Sequence, residues 1–389
     1  MSVGRFDQYH DWVSSPDQQK GSNLNPAFSA VREVLERQIE DGLHPGAQIC
    51  VGLDGEIIAD FAVGEAEIGS GTPLTRDSVM PLFSSAKPIT SVAIGVLVDS
   101  GRLKFDDPVA THVPEFAAHG KSNIFIRHLM NHTSGLADDA LFDGGASRSE
   151  VISRLRDSVP VAGWVPGERA AYLPTSGWHL LGEVIERVSG SSFESFVQGF
   201  VLDPLQMEDT YPVIGPELAE KLGPRLAVMH NTRRQPALPD PLYTPHRLGR
   251  FVRPGSSFFG PAHDVVKLYS MLLRNGVSAH GERVLSDETV GLLTTRQHDG
   301  LLDETFGVVV DRGLGFFIDS QRHGPAVPYG YGRAASPSTF GHGGKESSTG
   351  FADPERGLAV ALVFNGMPGE PKHDRRVKQV LGAVYEAAG

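Results

Sequence analysis

A single cysteine, Cys50, stands among 389 residues, so no intramolecular disulfide can staple this chain. It falls in an alternating apolar segment and reads as a packed core residue rather than a nucleophile. Basic side chains are the minority: 35 Lys and Arg against 47 Asp and Glu leave a formal charge of -12. A surface of that sign repels phosphate backbones and anionic lipids, which argues against nucleic-acid and membrane partners. No apolar run approaches the roughly 18 residues of a transmembrane helix. The opening residues, Met1 to Asp11, lack the apolar core of a secretory signal, so a cytoplasmic protein is expected.

Several catalytic signatures are also missing. No Gly-x-Ser-x-Gly pentapeptide occurs, which removes the nucleophile elbow of an α/β-hydrolase. His128 and His132 have the spacing of zinc-binding histidines, but Leu129 occupies the place where His-Glu-x-x-His carries its Glu. They read as structural, with His132 near a helix end capped by Gly135. Gly120-Lys121-Ser122 resembles the end of a phosphate loop, yet Glu115 stands where its first Gly belongs. Neither a metal nor any other cofactor is expected.

What the chain does have is 40% hydrophobic residues, enough for a large core in one or two domains. Its most informative stretch is Ser84-Ser85-Ala86-Lys87, placed just ahead of the apolar run from Ile89 to Val98. If that run is a helix, Ser84 lies at its first turn and Lys87, three residues on, shares its face. The helix N-terminus adds unpaired N–H groups and a partial positive charge. A hydroxyl, an amine and an anion-stabilising field in one segment outline acyl-transfer chemistry.

Two distant segments strengthen that reading. Tyr172 precedes a strongly apolar helical stretch, a rigid support from which a phenol can serve as general base. Phe340-Gly341-His342-Gly343-Gly344-Lys345 leads into two strands joined by a turn from Pro354 to Gly357. Glycines at 343 and 344 leave a strand edge bare for a substrate to approach.

These residues resemble the penicillin-recognising serine hydrolases of the class C β-lactamase superfamily, closest to the family VIII carboxylesterases and related acyltransferases. Ser84-x-x-Lys87 is similar to the first motif of that superfamily, Tyr172 to the Tyr of its Tyr-x-Asn motif, and His342-Gly343-Gly344 to its Lys/His-x-Gly motif. Their order and their separations of 88 and 170 residues fit as well. His132-Thr-Ser-Gly-Leu136, Pro166-Gly-Glu168 and Phe351-Ala-Asp-Pro-Glu-Arg-Gly357 are further phrases of these proteins, so the resemblance spans roughly residues 30 to 385. It implies that Ser84 attacks an acyl carbon, that the Lys87 and Tyr172 pair takes the proton, and that backbone N–H groups of Ser84 and Lys345 hold the oxyanion.

The fold class expected is α+β, a central antiparallel sheet flanked by helices, as in β-lactamases and transpeptidases, with an inserted mostly helical domain. A leading helix at 28 to 42, a hairpin from 47 to 62 around Asp54-Gly55, strands near 347 to 364 and a last helix at 372 to 387 build the sheet unit. Its expected bounds are 1–85 and 276–389. The region 86–275 carries helices at 89–101, 124–132, 175–189, 193–202 and 262–275, and the active site is expected between the two units. Loops at 232–261, which holds Pro236, Pro239, Pro241, Pro245 and Pro254, and at 321–338 supply Tyr243, Phe258, Phe259, Tyr329 and Tyr331 as candidate pocket walls. Asp138, Asp139 and Asp143 are candidates for selecting a cationic substrate, or a solvated loop.

Departures from the pattern shape the expected substrate. Pro174 stands where the second motif has Asn, a side chain that holds the amide of β-lactam substrates in the relatives, and His342 replaces Lys in the third motif. Both favour ester hydrolysis of a small-molecule acyl substrate. The alternatives are acyl transfer to a small acceptor, D-peptide or amide hydrolysis, lactam or lactone opening, and a non-catalytic binding protein on the same fold. Nothing in the sequence sets the oligomeric state.

Overall fold

Alternating apolar residues far apart in the chain become neighbouring strands in the computed structural model, which describes residues 23–137, 148–244, 247 and 252–389. The strands of the main sheet are β1 (Asn23–Leu24), β2 (Gly46–Leu53), β3 (Glu56–Gly64), β4 (Phe317–Ile318), β5 (Phe340–Gly344), β6 (Ser348–Asp353) and β7 (Leu358–Phe364). They form one sheet in the order β1-β3-β2-β7-β6-β5-β4, each neighbouring pair antiparallel. At its centre β2 and β7, from opposite ends of the sequence, pair Cys50 with Ala361 and Ile49 with Leu362. The β2–β3 hairpin closes on Asp54 and Gly55, both left-handed at φ 50° and 89°, as a tight primed turn requires.

Five helices position the site: α1 (Ser29–Glu40), α2 (Lys87–Asp99), α3 (Ser176–Ser189), α4 (Ala262–Leu273) and α5 (Glu370–Ala388). The period of two along β7 decides what each sheet face meets. Leu358, Val360, Leu362 and Phe364 turn towards α1 and α5, while Ala359, Ala361 and Val363 belong to the core shared with α4. The second face uses small residues because α4 lies close: a Cβ on Gly350 would come 2.6 Å from the Tyr269 ring. Helix α2 is buried nearly all round, as its uninterrupted apolar run predicts, and packs against α3.

The elements expected from the sequence are present with shifted ends. Helix α1 stops before Gly42, whose φ of 71° ends it, and the stretch from 193 continues beyond Val197 as a π turn over Gln198–Leu202. Helix α4, grouped by its periodicity with the helical region, lies on the sheet against β2, β6 and β7. An amphipathic pattern states that a face is covered but not by which neighbour. Asp138, Asp139 and Asp143 lie outside the described residues, as does the stretch from Met1 to Asp11.

Among the buried histidines are His44, His132, His342 and His373. Burial holds each well below the ordinary histidine range, with Arg376 adding to the effect at His44 and His373 and Arg312 at His132 and His342. They stay neutral in the folded state, whereas the unfolded chain binds protons below about pH 6.5. Their contribution to stability is therefore present above that pH and lost as pH falls. Urea unfolding from pH 7 to 5 is expected to show stability dropping with a slope of up to about 1.4 kcal/mol per pH unit for each histidine. A flat profile over that interval would contradict the burial.

Candidate active site

Pro88 shapes the turn that carries Ser84. Lacking an N–H, it fits only the first turn of an α-helix, so α2 begins at Lys87 and the chain ahead tightens into a single 3₁₀ turn, Phe83–Ala86. Ser84 thus stands one turn before the α-helix rather than within its first turn, a correction to the sequence expectation. Its carbonyl accepts the Lys87 N–H, and the first hydrogen bond of the turn runs from Ser85 N to Leu82 O. Helix geometry therefore leaves the Ser84 N–H ahead of the bonded series. Phe83 is buried with φ 47°, a left-handed conformation that a bulky residue rarely adopts.

Strand β6 clamps this turn. Ser85 Oγ donates to Leu82 O at 2.6 Å and lies 2.7 Å from Ser348 Oγ, which donates to the same carbonyl at 2.7 Å. Gly344 makes the contact possible. A Cβ there would stand 2.2 Å from Ser348 Oγ, 2.3 Å from Leu82 O and 3.2 Å from Ser85 N.

Lys87 is fully buried, and its ammonium donates at 3.0 Å to each of three oxygens: Ser84 Oγ, Pro174 O and Gly255 O. Its Nζ also faces the rings of Trp178 at 5.0 Å and Tyr172 at 5.6 Å. Pro174 enters the site through its carbonyl while its ring is exposed. Gly255 was not singled out by the sequence, where only a Pro-Gly pair in a proline-rich loop marks it. A Cβ there would lie 2.7 Å from Trp178 and 3.2 Å from Lys87 Nζ.

Tyr172 is 8% exposed, in the loop ahead of α3. Its ring lies 4.7 Å from that of His132, 5.3 Å from Phe306 and 6.1 Å from His342. His132 takes the left-handed position after the helix Ile126–Met130 at φ 62°, the role expected of Gly135, and its Nδ1 accepts the Leu173 N–H at 3.1 Å. His128 is structural, its Nδ1 accepting the Phe125 N–H at 3.2 Å. Gly135 instead leaves room for Trp164.

His342 lies buried on β5, 2.7 Å from the Gly343 carbonyl through Nδ1. A carbonyl only accepts, so Nδ1 carries the proton and Nε2 offers a lone pair, with no partner among the described residues. Burial, then the Lys87 charge, holds this imidazole well below its usual range. Strand β4 pairs with β5 only at Phe340 and Gly341, so the edge from His342 to Gly344 is bare in the hydrogen-bonding direction. Its face is not: the Tyr329 ring lies where a Gly343 Cβ would be, at 2.1 Å.

The candidate pocket walls divide. Tyr243 meets Phe83 edge-on at 5.2 Å and the Lys345 ammonium at 5.2 Å, and Tyr329 stands 6.2 Å from His342. A cavity of about 360 Å³ opens beside Tyr329, bounded also by Phe306 and Thr349. None of Phe258, Phe259 and Tyr331 is among the residues around that cavity. They are buried in the core, Phe258 against Phe193, Phe259 in a cluster with Val79 and Ile214, and Tyr331 against Phe351. Loop membership did not foretell this burial, because aromatics in loops also seal cores. Cys50 is buried and its thiol pushed up by burial, while buried Lys121 donates to the carbonyls of Arg156 and Ser158.

An α+β fold that brings Ser84, Lys87, Tyr172 and His342 close together has the arrangement of a serine hydrolase of the β-lactamase and transpeptidase class. The chain belongs to the Beta-lactamase family, whose profile matches residues 31–384. Penicillin-binding protein 4 of Amycolatopsis lactamdurans is 30% identical over 326 residues, covering 83% of this chain and 81% of that protein. Esterase EstB of Burkholderia gladioli is 27% identical over 383 residues, covering 88% and 92%. The crystal structure of a family VIII carboxylesterase superposes with a TM-score of 0.75 at 26% identity, over 93% of this chain and 98% of that one.

Replacing Gly344 with Ala tests how tightly the turn is set. The added methyl must push β5 away from Leu82 O, and displacements near 1 Å at a reacting group cost about 100-fold in rate. Esterase kcat/KM is expected to fall by about that factor with the circular dichroism spectrum retained. Activity within about threefold of the parent would show that the turn tolerates the shift.

Proposed function

We propose that this protein hydrolyses carboxylic esters of small molecules through an acyl-enzyme on Ser84. The observation that carries the reading is the 3.0 Å hydrogen bond from a fully buried Lys87 ammonium to the Ser84 hydroxyl. A serine held this way sits beside the Lys87 and Tyr172 pair, which can take its proton once the pair has released one of its own. Tyr172 shares the position, and two groups this close titrate together, so the base is assigned to the Lys87 and Tyr172 pair. The oxyanion is held by the N–H groups of Ser84 and Lys345, the first ahead of the hydrogen-bonded turn and the second following β5. Each such donor is typically worth about 2.7 to 4 kcal/mol of transition-state stabilisation.

The Nε2 lone pair of His342 and the carbonyl of Pro174 favour esters over β-lactams. A neutral acceptor at 342 supplies no cation for a carboxylate, and residue 174 offers no amide to hold a side-chain amide. The relatives named esterase and carboxylesterase support the same assignment. In this reading the cleft lies between a sheet unit, 1–85 with 276–389, and a mostly helical unit within 86–275, from which α4 is excepted because it packs on the sheet. Tyr243, Tyr329, Gly343 and Gly344 border it.

Ser84→Ala is expected to abolish hydrolysis of p-nitrophenyl acetate and butyrate and to remove labelling by a fluorophosphonate. Intact mass of the quenched parent enzyme should show one serine-bound acyl group. Faster loss of that group on adding an alcohol or amine would identify a transferase instead. Full turnover by Ser84→Ala would end the proposal.

A further inference from the structure

Beneath Tyr172 lies a buried ion pair that none of the three catalytic signatures contains. Asp303 is fully buried, and its Oδ1 accepts the backbone N–H groups of Tyr172, Thr305 and Phe306 at 3.2, 3.0 and 3.1 Å. Its Oδ2 pairs with Arg312, itself 1% exposed. Thr305 Oγ1 returns a bond to Tyr172 O at 3.1 Å, and Glu304 N donates to Ala170 O at 2.9 Å. Both flanks of Tyr172 are thereby tied to the 303–305 segment. The guanidinium of Arg312 stands 5.5 Å from the Tyr172 ring centroid and 4.6 Å from that of Phe317.

Stability alone is a weak reason for such a pair. Desolvating two charges offsets most of their attraction, and apolar groups of the same volume often serve as well. Its place against Tyr172 points to another use. We propose that the Arg312–Asp303 pair is a positioning element for the base, with Asp303 fixing the backbone of Tyr172 and Arg312 presenting a cation to its ring. This inference rests on the roles given above to Ser84, Lys87 and Tyr172.

The sign of the effect follows from the groups around the phenol. Lys87 faces it from α2, His132 from the loop after Met130, His342 from β5, Tyr329 from the 321–338 loop, and Arg312 with Asp303 from the segment before β4. Burial keeps both histidines neutral and pushes the Tyr329 phenol up, so these three carry no charge near neutral pH. The Arg312 cation favours loss of a proton from the Lys87 and Tyr172 pair, whichever member releases it. The Asp303 carboxylate opposes that loss. Removing one charge or the other must therefore move the ionisation of the base in opposite directions.

The test is the pH dependence of kcat/KM for p-nitrophenyl butyrate in the parent, Arg312→Gln and Asp303→Asn, with folding followed by near-UV circular dichroism. Arg312→Gln is expected to move the acidic limb up by about one pH unit, the usual effect of losing one neighbouring charge. Asp303→Asn keeps an oxygen for the three N–H groups and is expected to move the limb down. Arg312→Lys retains the charge and should leave the limb in place, which covers the case where Arg312→Gln does not fold. Limbs that stay put, or that move together, would overturn the role given to the pair. Peptide mapping of the fluorophosphonate adduct in the parent separates the two levels. Label on a residue other than Ser84 overturns the site and this inference with it, whereas label on Ser84 with unmoved limbs overturns this inference alone.

Discussion

A buried ammonium must find acceptors, and the three that Lys87 finds come from three parts of the chain. An unpaired charge in the interior costs many kcal/mol, so the loop carbonyls of Pro174 and Gly255 are held to it as firmly as it is to them. The third acceptor is the Ser84 hydroxyl on the turn before its own helix. The aromatic faces of Trp178 and Tyr172 complete the surroundings with their negative π-surfaces. One interaction therefore sets where the Ser84 hydroxyl points, where the loop carrying Tyr172 and Pro174 runs, and how near the proline-rich loop comes.

Around it the protein relies on close backbone approach. Gly344 lets β5 reach the Ser84 turn, Gly343 admits the Tyr329 ring, and Gly255 brings a carbonyl up to Lys87 beside Trp178. The left-handed Phe83 is tolerated because its ring is packed with Met229, Met367 and Tyr243. Paired serines, Ser85 and Ser348, then pin the turn to the sheet through one shared carbonyl. Contacts fixed in this number are what preorganisation asks of the acyl-transfer site proposed above.

Much of this was legible in the amino acids. Alternation in 47–62 and 347–364 gave strands that pair as expected, and Ser84, Lys87, Tyr172 and His342 stood out by type and spacing. The start of α2 was also readable in part, since Pro88 must lie in its first turn. Gly255 acts through a backbone oxygen, which every residue possesses, so its identity signals nothing about its use. Arg312 and Asp303 look like surface residues because burial of a charge is decided by distant packing. Phe258, Phe259 and Tyr331 show the converse, loop aromatics that serve the core.

The account turns on whether the Ser84 turn and the start of the β5–β6 connection form one anion site beside Lys87 and Tyr172. A crystal structure of the fluorophosphonate adduct decides it most directly. The account predicts phosphorus on Ser84 Oγ, its phosphoryl oxygen within about 3 Å of both the Ser84 and Lys345 nitrogens, and Tyr172 beside the esterified oxygen. A phosphoryl oxygen turned to solvent, with neither N–H in reach, would contradict it.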